Sequence, residues 1–238
     1  MYEAIKRPGD RFAGAAFTSG SAGTMSAGDL LKEKYPHLKL AVGEALQCPT
    51  ILENGFGGHR IEGIGDKHIP WIHNVKNTDM VIDIDDEDSQ RLLRLFNTLR
   101  PGVFEERAAP GRRADREAHL AGHLRHRNVL CCVKLSKYYE LTEHDVVATV
   151  LTDSADMYRS RIQELADQYG PMTGGPPRWT TPPSAGPAHR RMAELNYYDR
   201  KRVHNLKYYT WVEQQGRDMY ELNDLWYGST WDDVHRQA

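Results

Sequence analysis

A short loop of small side chains is the part of the sequence whose residue types and spacing could best do chemistry: Thr18-Ser-Gly-Ser-Ala-Gly-Thr24. It follows an apolar run and opens a segment with helical character, Gly23 to Lys34. Small residues let the backbone turn tightly, and the N–H groups and dipole of a helix N-terminus attract an anion. The loop matches neither the P-loop nor the dinucleotide-binding fingerprint. By itself it is consistent with a phosphate cradle and with a packing turn.

Alternating strand and helix patterns surround this loop. Apolar patterns predict strands at 12–17, 38–43, 80–84 and 145–151, the first and last as buried strands, and helical patterns occupy 23–34, 85–96, 128–141 and 158–169. The alternation predicts an α/β fold with a mainly parallel sheet and helices on both faces. Beyond it, the sequence predicts a helical C-terminal extension, with a long helix over 190–215, a break at Gly216 and a shorter helix over 218–226.

Composition and charge exclude several classes of protein. The chain has 31 Lys and Arg against 33 Asp and Glu, and this balance argues against a dedicated nucleic-acid binder. No apolar run approaches the roughly 18 residues of a membrane helix, so we expect no membrane partner. Three cysteines, two of them adjacent, favour a reducing cytoplasm over a disulfide framework. The acidic run over 83–88 is typical of a helix start, and we expect no metal site.

Four segments, taken in order, carry a resemblance to a known family. They are Gly20-Ser-Ala-Gly-Thr24, Leu30-Leu-Lys-Glu-Lys-Tyr-Pro36, His59-Arg-Ile-Glu-Gly-Ile-Gly65 with Ile69-Pro70, and Asp145-Val-Val-Ala-Thr-Val-Leu-Thr-Asp-Ser154 with Tyr158. They resemble the fold-type II pyridoxal-phosphate enzymes of the cysteine synthase and cystathionine β-synthase family. The resemblance covers about residues 8–98 and 128–169.

This resemblance implies a three-layer α/β sandwich and pyridoxal 5'-phosphate as cofactor. The residues that would hold the cofactor phosphate are Gly20, Ser21, Ala22, Gly23 and Thr24. Gly63, Ile64 and Gly65 would line the wall beside the pyridine ring, although a tight loop between sheet elements is the other interpretation. Ala22 replaces a family glycine, so we expect either a negative φ or backbone strain there.

The same resemblance implies a reaction. It would be β-elimination or β-replacement on serine or an activated serine, with a small amino acid as substrate and a homodimer as the complete enzyme. The chain lacks the family's Schiff-base lysine motif, its substrate-carboxylate loop and the turn facing the pyridine nitrogen. We therefore expect residues 1–169 to be a partial large domain, truncated at its N-terminal half and inactive, with no catalytic residue of its own.

Two segments depart from the alternating pattern. Residues 99–127 are rich in arginine, and 170–189 hold six of the twelve prolines. One hypothesis is that 99–127 is translated out of frame and that 170–189 is a second such patch; the alternative is a divergent loop followed by a linker. Residues 190–238 then form the helical extension.

Two other functions stay open on the sequence alone. The chain could be a non-catalytic anion-binding or assembly module that dimerises through its aromatic helical tail. The loop could also serve a nucleotide phosphate.

Overall fold

A five-stranded sheet organises the computed structural model, which describes residues 2–98, 123–151, 155–170 and 191–237. The strands are β1 (Arg11–Thr18), β2 (Lys39–Ala45), β3 (Met80–Ile84), β4 (Asp145–Ala148) and β5 (Met192–Glu194). They lie in the order β4-β1-β2-β3-β5. The first four are parallel, and β5 pairs antiparallel with β3. The mainly parallel sheet predicted from the sequence is confirmed.

Helices connect and flank these strands. They are α1 (Tyr2–Ile5), α2 (Gly23–Lys34), α3 (Thr50–Glu53), α4 (Asp86–Thr98), α5 (His123–Tyr138), α6 (Arg159–Tyr169), α7 (Tyr197–Asn205), α8 (Met219–Tyr227) and α9 (Thr230–Gln237). Short 3₁₀ turns occupy Val75–Asn77 and Ala155–Tyr158, and a π-helix spans Tyr208–Gln214.

The sheet buries both of its faces. Side chains alternate along each strand, so Leu40 and Val42 of β2 pack on one side with Met25 of α2. Ala41, between them, packs on the other side with Cys131 of α5. Helices therefore cover the two faces separately, and the predicted three-layer α/β sandwich is confirmed.

The edge strand β4 differs from its prediction. The sequence predicts a buried strand over 145–151, but pairing ends at Ala148 and all four strand residues are only half-buried. In the described residues β4 has a neighbour on one side only, β1. An apolar sequence at a sheet edge thus gives a shorter and more exposed strand than the same sequence in the middle.

The prediction of one long helix over 190–215 is wrong. The segment begins with β5, and α7 follows only after Asn196. The side chain of Asn196 accepts hydrogen bonds from the backbone of Tyr198 and Asp199, and the Asp199 carboxylate bonds back to the N–H of Asn196. This capping box fixes the helix start. Gly216 has φ +72°, as expected for a break.

The arginine-rich segment lies mostly outside the described residues, as does 171–189. Its last residue, Arg127, lies in α5 and is fully buried. The Arg127 guanidinium donates to the carbonyl of Ile84 at 2.9 Å and lies 3.8 Å from the carboxylate of Asp86. Burial lowers the pKa of Arg127 to about 10. The out-of-frame hypothesis for 99–127, with 170–189 as a second such patch, stays a prediction.

Candidate functional site

The small-residue loop lies where β1 ends and α2 begins, at the carboxyl edge of the parallel strands. Ser19 anchors it by donating its N–H to Gly43 O of β2 at 3.1 Å. In the described part of the chain, the five N–H groups from Gly20 to Thr24 have no hydrogen-bond acceptor. Successive free N–H groups at a helix N-terminus form the kind of nest that binds anions. The position predicted from sequence therefore has the required donors.

Ala22 takes the strained alternative expected from the sequence. Its φ is 68°, in the left-handed region, and it directly precedes α2. A non-glycine residue there costs about 1–2 kcal/mol. The Ala22 methyl is buried in the same cluster as Met25, and this packing offsets part of that cost. The fold thus keeps the turn that presents the N–H groups even without glycine.

The hydroxyls of the loop behave differently from each other. Thr24 Oγ1 donates to the carbonyl of Thr18 at 3.4 Å, so in this structure it closes the loop on itself. Ser21 is exposed. Of the Ser21 and Thr24 hydroxyls, only that of Ser21 is free of a protein partner in the described residues.

The two predicted loops meet. A Cβ added to Gly20 would lie 2.8 Å from Gly63 O, so the backbones are in direct contact. Gly63 and Gly65 both have left-handed φ values, +84° and +89°. Ile64 between them is half-buried. The fold thus places Gly63–Gly65 beside the small-residue loop.

We expect Gly20→Ala to destabilise the protein by about 1–3 kcal/mol, because the new methyl forces the Gly63 carbonyl away. Urea unfolding measures the change. Gly58→Ala is the matched control, since a Cβ at Gly58 meets nothing within 4 Å. Equal midpoints for the two variants would contradict the close contact.

A small cavity between the loops is lined by residues that the sequence analysis missed. Ser19 and Gly20 line it together with Glu44, Cys48 and His68. Cys48 Sγ lies 3.5 Å from Gly65 O, and Thr50 Oγ1 lies 2.9 Å from Asp66 O. These contacts tie the turn after β2 to the Gly63–Gly65 loop.

Two buried carboxyls lie on neighbouring strands, and one of them, Glu44, lines this cavity. Glu44 and Asp83 are paired in register on β2 and β3, and both are buried. Glu44 accepts the N–H groups of Ile51 and Leu52 at 2.8 Å, which satisfies the start of α3. No donor from the described residues reaches either carboxyl oxygen of Asp83. Burial raises the pKa of both groups, and the charge of Asp83 raises that of Glu44 further.

We infer that Glu44 and Asp83 share one proton. Two N–H donors favour the ionised form of Glu44, whereas Asp83 has no such donors. Burial nevertheless has the largest effect on both groups and raises both pKa values, so the retained proton belongs to the pair as a whole. The sequence signal for this pair was one acid inside each of two apolar strands.

Among the described residues, no group of three or more His, Cys, Asp or Glu is placed to hold a metal ion. In the same residues, every helix is too short or too polar to cross a membrane. The arrangement offers backbone N–H donors for an anion and, beside them, a wall of backbone and small side chains.

Comparison with known proteins finds cysteine synthases among the relatives of this chain. No protein-family profile matches the chain. It is 38% identical to cysteine synthase B of Campylobacter jejuni over 71 residues, which is 29% of this chain and 24% of that protein. It is 25% identical to a cysteine synthase of Staphylococcus aureus over 142 residues, 59% of this chain and 40% of that protein.

Solved structures agree in fold. A hydrogen sulfide-producing enzyme from Fusobacterium nucleatum matches with a TM-score of 0.52 and 21% identity, over 68% of this chain and 43% of that one. O-acetyl serine sulfhydrylase isoform 3 from Entamoeba histolytica matches with a TM-score of 0.51 and 20% identity, over 69% and 43%. The chain thus spans less than half the length of these proteins. The fold and the resemblance to the cysteine synthase family are confirmed for the part that matches.

Proposed function

We propose that this chain binds pyridoxal 5'-phosphate as the phosphate-holding part of a cysteine synthase-like enzyme that acts on an amino acid. The observation that carries the proposal is the run of five N–H groups without acceptors, Gly20 to Thr24, at the N-terminus of α2. The relatives described above support the choice of cofactor.

The residues present fit the phosphate of this cofactor. Gly20, Ser21, Ala22, Gly23 and Thr24 would hold it, because a dianion suits several backbone donors at the positive end of a helix. A Cβ on Gly23 would meet nothing within 4 Å, so the space in front of the helix is open. Gly63, Ile64 and Gly65 would lie beside the ring. When bound, the cofactor supplies an electron sink for carbanion chemistry; these residues bind and orient it.

Binding is tested by calorimetry with three ligands on the full chain: pyridoxal phosphate, pyridoxal and inorganic phosphate. We expect pyridoxal phosphate to bind, phosphate to compete with it, and pyridoxal to bind far more weakly, since it lacks the group that the loop holds. Equal affinity for pyridoxal and its phosphate would contradict the proposal. Binding of AMP in preference to pyridoxal phosphate would favour the nucleotide alternative.

We further propose that these 238 residues alone do not carry out β-elimination or β-replacement on serine or an activated serine. No lysine of the sequence lies in the motif that the family uses for its Schiff base. The one lysine that is fully buried in the described residues, Lys207, donates to the carbonyls of Trp71 and His73. We expect no cysteine from O-acetylserine and sulfide above the rate with free cofactor. Turnover clearly above that background would contradict this.

Partner and compartment are proposed on structural grounds. Tyr197, Tyr198 and Tyr227 of the extension are more than half exposed, a surface suited to a homodimer and also to the alternative function as an assembly module. Sedimentation of the purified chain distinguishes monomer from dimer.

Cys48, Cys131 and Cys132 are free thiols, which fits the cytoplasm.

A further inference from the structure

The C-terminal extension is bonded to the wall of the proposed cofactor site. Trp211 Nε1 donates to Ile69 O at 2.8 Å. Lys207 Nζ donates to Trp71 O at 2.8 Å and to His73 O at 2.7 Å. Three alternate carbonyls of one segment, 69, 71 and 73, are thus taken by two side chains that lie more than 130 positions later in the sequence.

That segment continues directly from the Gly63–Gly65 loop. Asp66, His68 and Pro70 line the small cavity together with Ser19 and Gly20. We call residues 66–73 the wall segment. In the described residues, no backbone N–H donates to the carbonyls of Ile69, Trp71 or His73. The wall segment therefore depends on side-chain donors for the hydrogen bonds that a strand would obtain from its neighbour.

The local structure of the extension serves these contacts. Lys207 is fully buried and directly precedes the π-helix Tyr208–Gln214, which contains Trp211. A π-helix is rare and is frequently found at functional sites. The Trp211 ring also packs edge-on against His68 at 5.5 Å and lies 6.0 Å from the Trp71 ring. Arg217 completes the contact with its guanidinium 4.6 Å from the Trp71 ring.

We propose that Trp211 and Lys207 are positioning residues that fix the wall segment against the phosphate loop. The extension then controls how tightly the ring side of the cofactor is held and leaves the phosphate contacts unchanged. This rests on the proposed function, because it assumes that the ring lies beside Gly63–Gly65. It gives the extension a role within the site in place of a separate module.

The test compares two single tryptophan changes in the full chain. Trp211→Phe keeps a ring but removes the N–H bonded to Ile69. Trp226→Phe makes the same change of ring elsewhere in the extension, at a buried tryptophan that packs against Tyr197 and His204 of α7. For each we measure affinity for pyridoxal phosphate and for inorganic phosphate, and hydrogen exchange of amides 63–73.

For Trp211→Phe we expect about fivefold weaker binding of pyridoxal phosphate, the value of one hydrogen bond, with phosphate affinity unchanged. Amides of the wall segment exchange faster. Trp226→Phe leaves both affinities and the exchange rates unchanged. If Trp211 only stabilised the fold, Trp211→Phe would weaken the binding of pyridoxal phosphate and of inorganic phosphate together. Equal losses for the two ligands, or no loss for either, would overturn the proposal.

A failure of the proposed function can be distinguished from a failure of the positioning role of Trp211. If the wild-type chain binds no pyridoxal phosphate, the proposed function fails, and hydrogen exchange alone decides the role of Trp211. Faster exchange confined to 63–73 then still supports positioning, and unchanged exchange there overturns it.

Discussion

Gly23→Val removes the binding of phosphate and pyridoxal phosphate to below detection, while the protein stays folded. A Cβ at Gly23 meets no protein atom within 4 Å, so the variant has room for the side chain. The branched side chain would instead occupy the open space at the first residue of α2, where an anion must approach the N–H groups. Calorimetry with both ligands measures the loss, and circular dichroism verifies the fold.

Two controls separate this effect from others. Ala27→Val places the same side chain one turn later in α2, at an exposed position, so it reproduces any cost of β-branching in the helix. Arg112→Ala with Arg113→Ala tests the arginine-rich segment as a rival anion site. We expect both controls to bind normally. Loss of binding in the arginine variant, with binding retained in Gly23→Val, would place the site elsewhere.

The parts of the fold that were predicted correctly have strong local signals. The helix over 23–34 was predicted to the residue, and the strand over 80–84 likewise. A proline after Lys34 and an unbroken apolar run over 80–84 are enough to define these elements. The acidic first turn of α4 is a signal of the same kind.

The errors concern pairing across the chain. Met192–Glu194 is too short for a strand signal, and it becomes β5 because β3 offers a free edge. In the same way, nothing local in 145–151 indicates that β4 lies at the edge of the sheet. Sequence patterns report burial and periodicity, whereas edge and centre depend on the order of strands in space.

In the candidate site, too, some features have a local sequence signal and others depend on contacts between residues that are distant in the sequence. The small-residue loop follows from its own residue types, and Gly63–Gly65 from family resemblance. The bond from Trp211 to Ile69 joins residues 142 positions apart, and no periodicity indicates it. Glu44 and Asp83 were visible as acids in apolar strands, but their pairing depends on the register of β2 against β3.

This buried pair should make stability depend on pH. The folded pair retains a proton that free carboxyls lose near pH 4–4.5, because burial raises the pKa of Glu44 to about 8 and that of Asp83 to about 6. Between the pKa of free carboxyls and the raised pKa of Glu44, the folded state binds more protons than the unfolded state. The free energy of unfolding therefore falls as pH rises through this window, by at most about 1.4 kcal/mol per pH unit for one proton.

Asp83→Asn weakens this dependence, because it removes one of the two titrating carboxyls and its charge, while the buried Glu44 still titrates. We expect wild type to lose stability relative to Asp83→Asn between pH 5 and 8, measured by urea unfolding at each pH. Asp167→Asn, the same change at an exposed residue of α6, should keep the wild-type slope. Other titrating groups are common to all three proteins and cancel in the difference. Parallel profiles for wild type and Asp83→Asn would show that Asp83 holds no proton in this range and does not raise the pKa of Glu44.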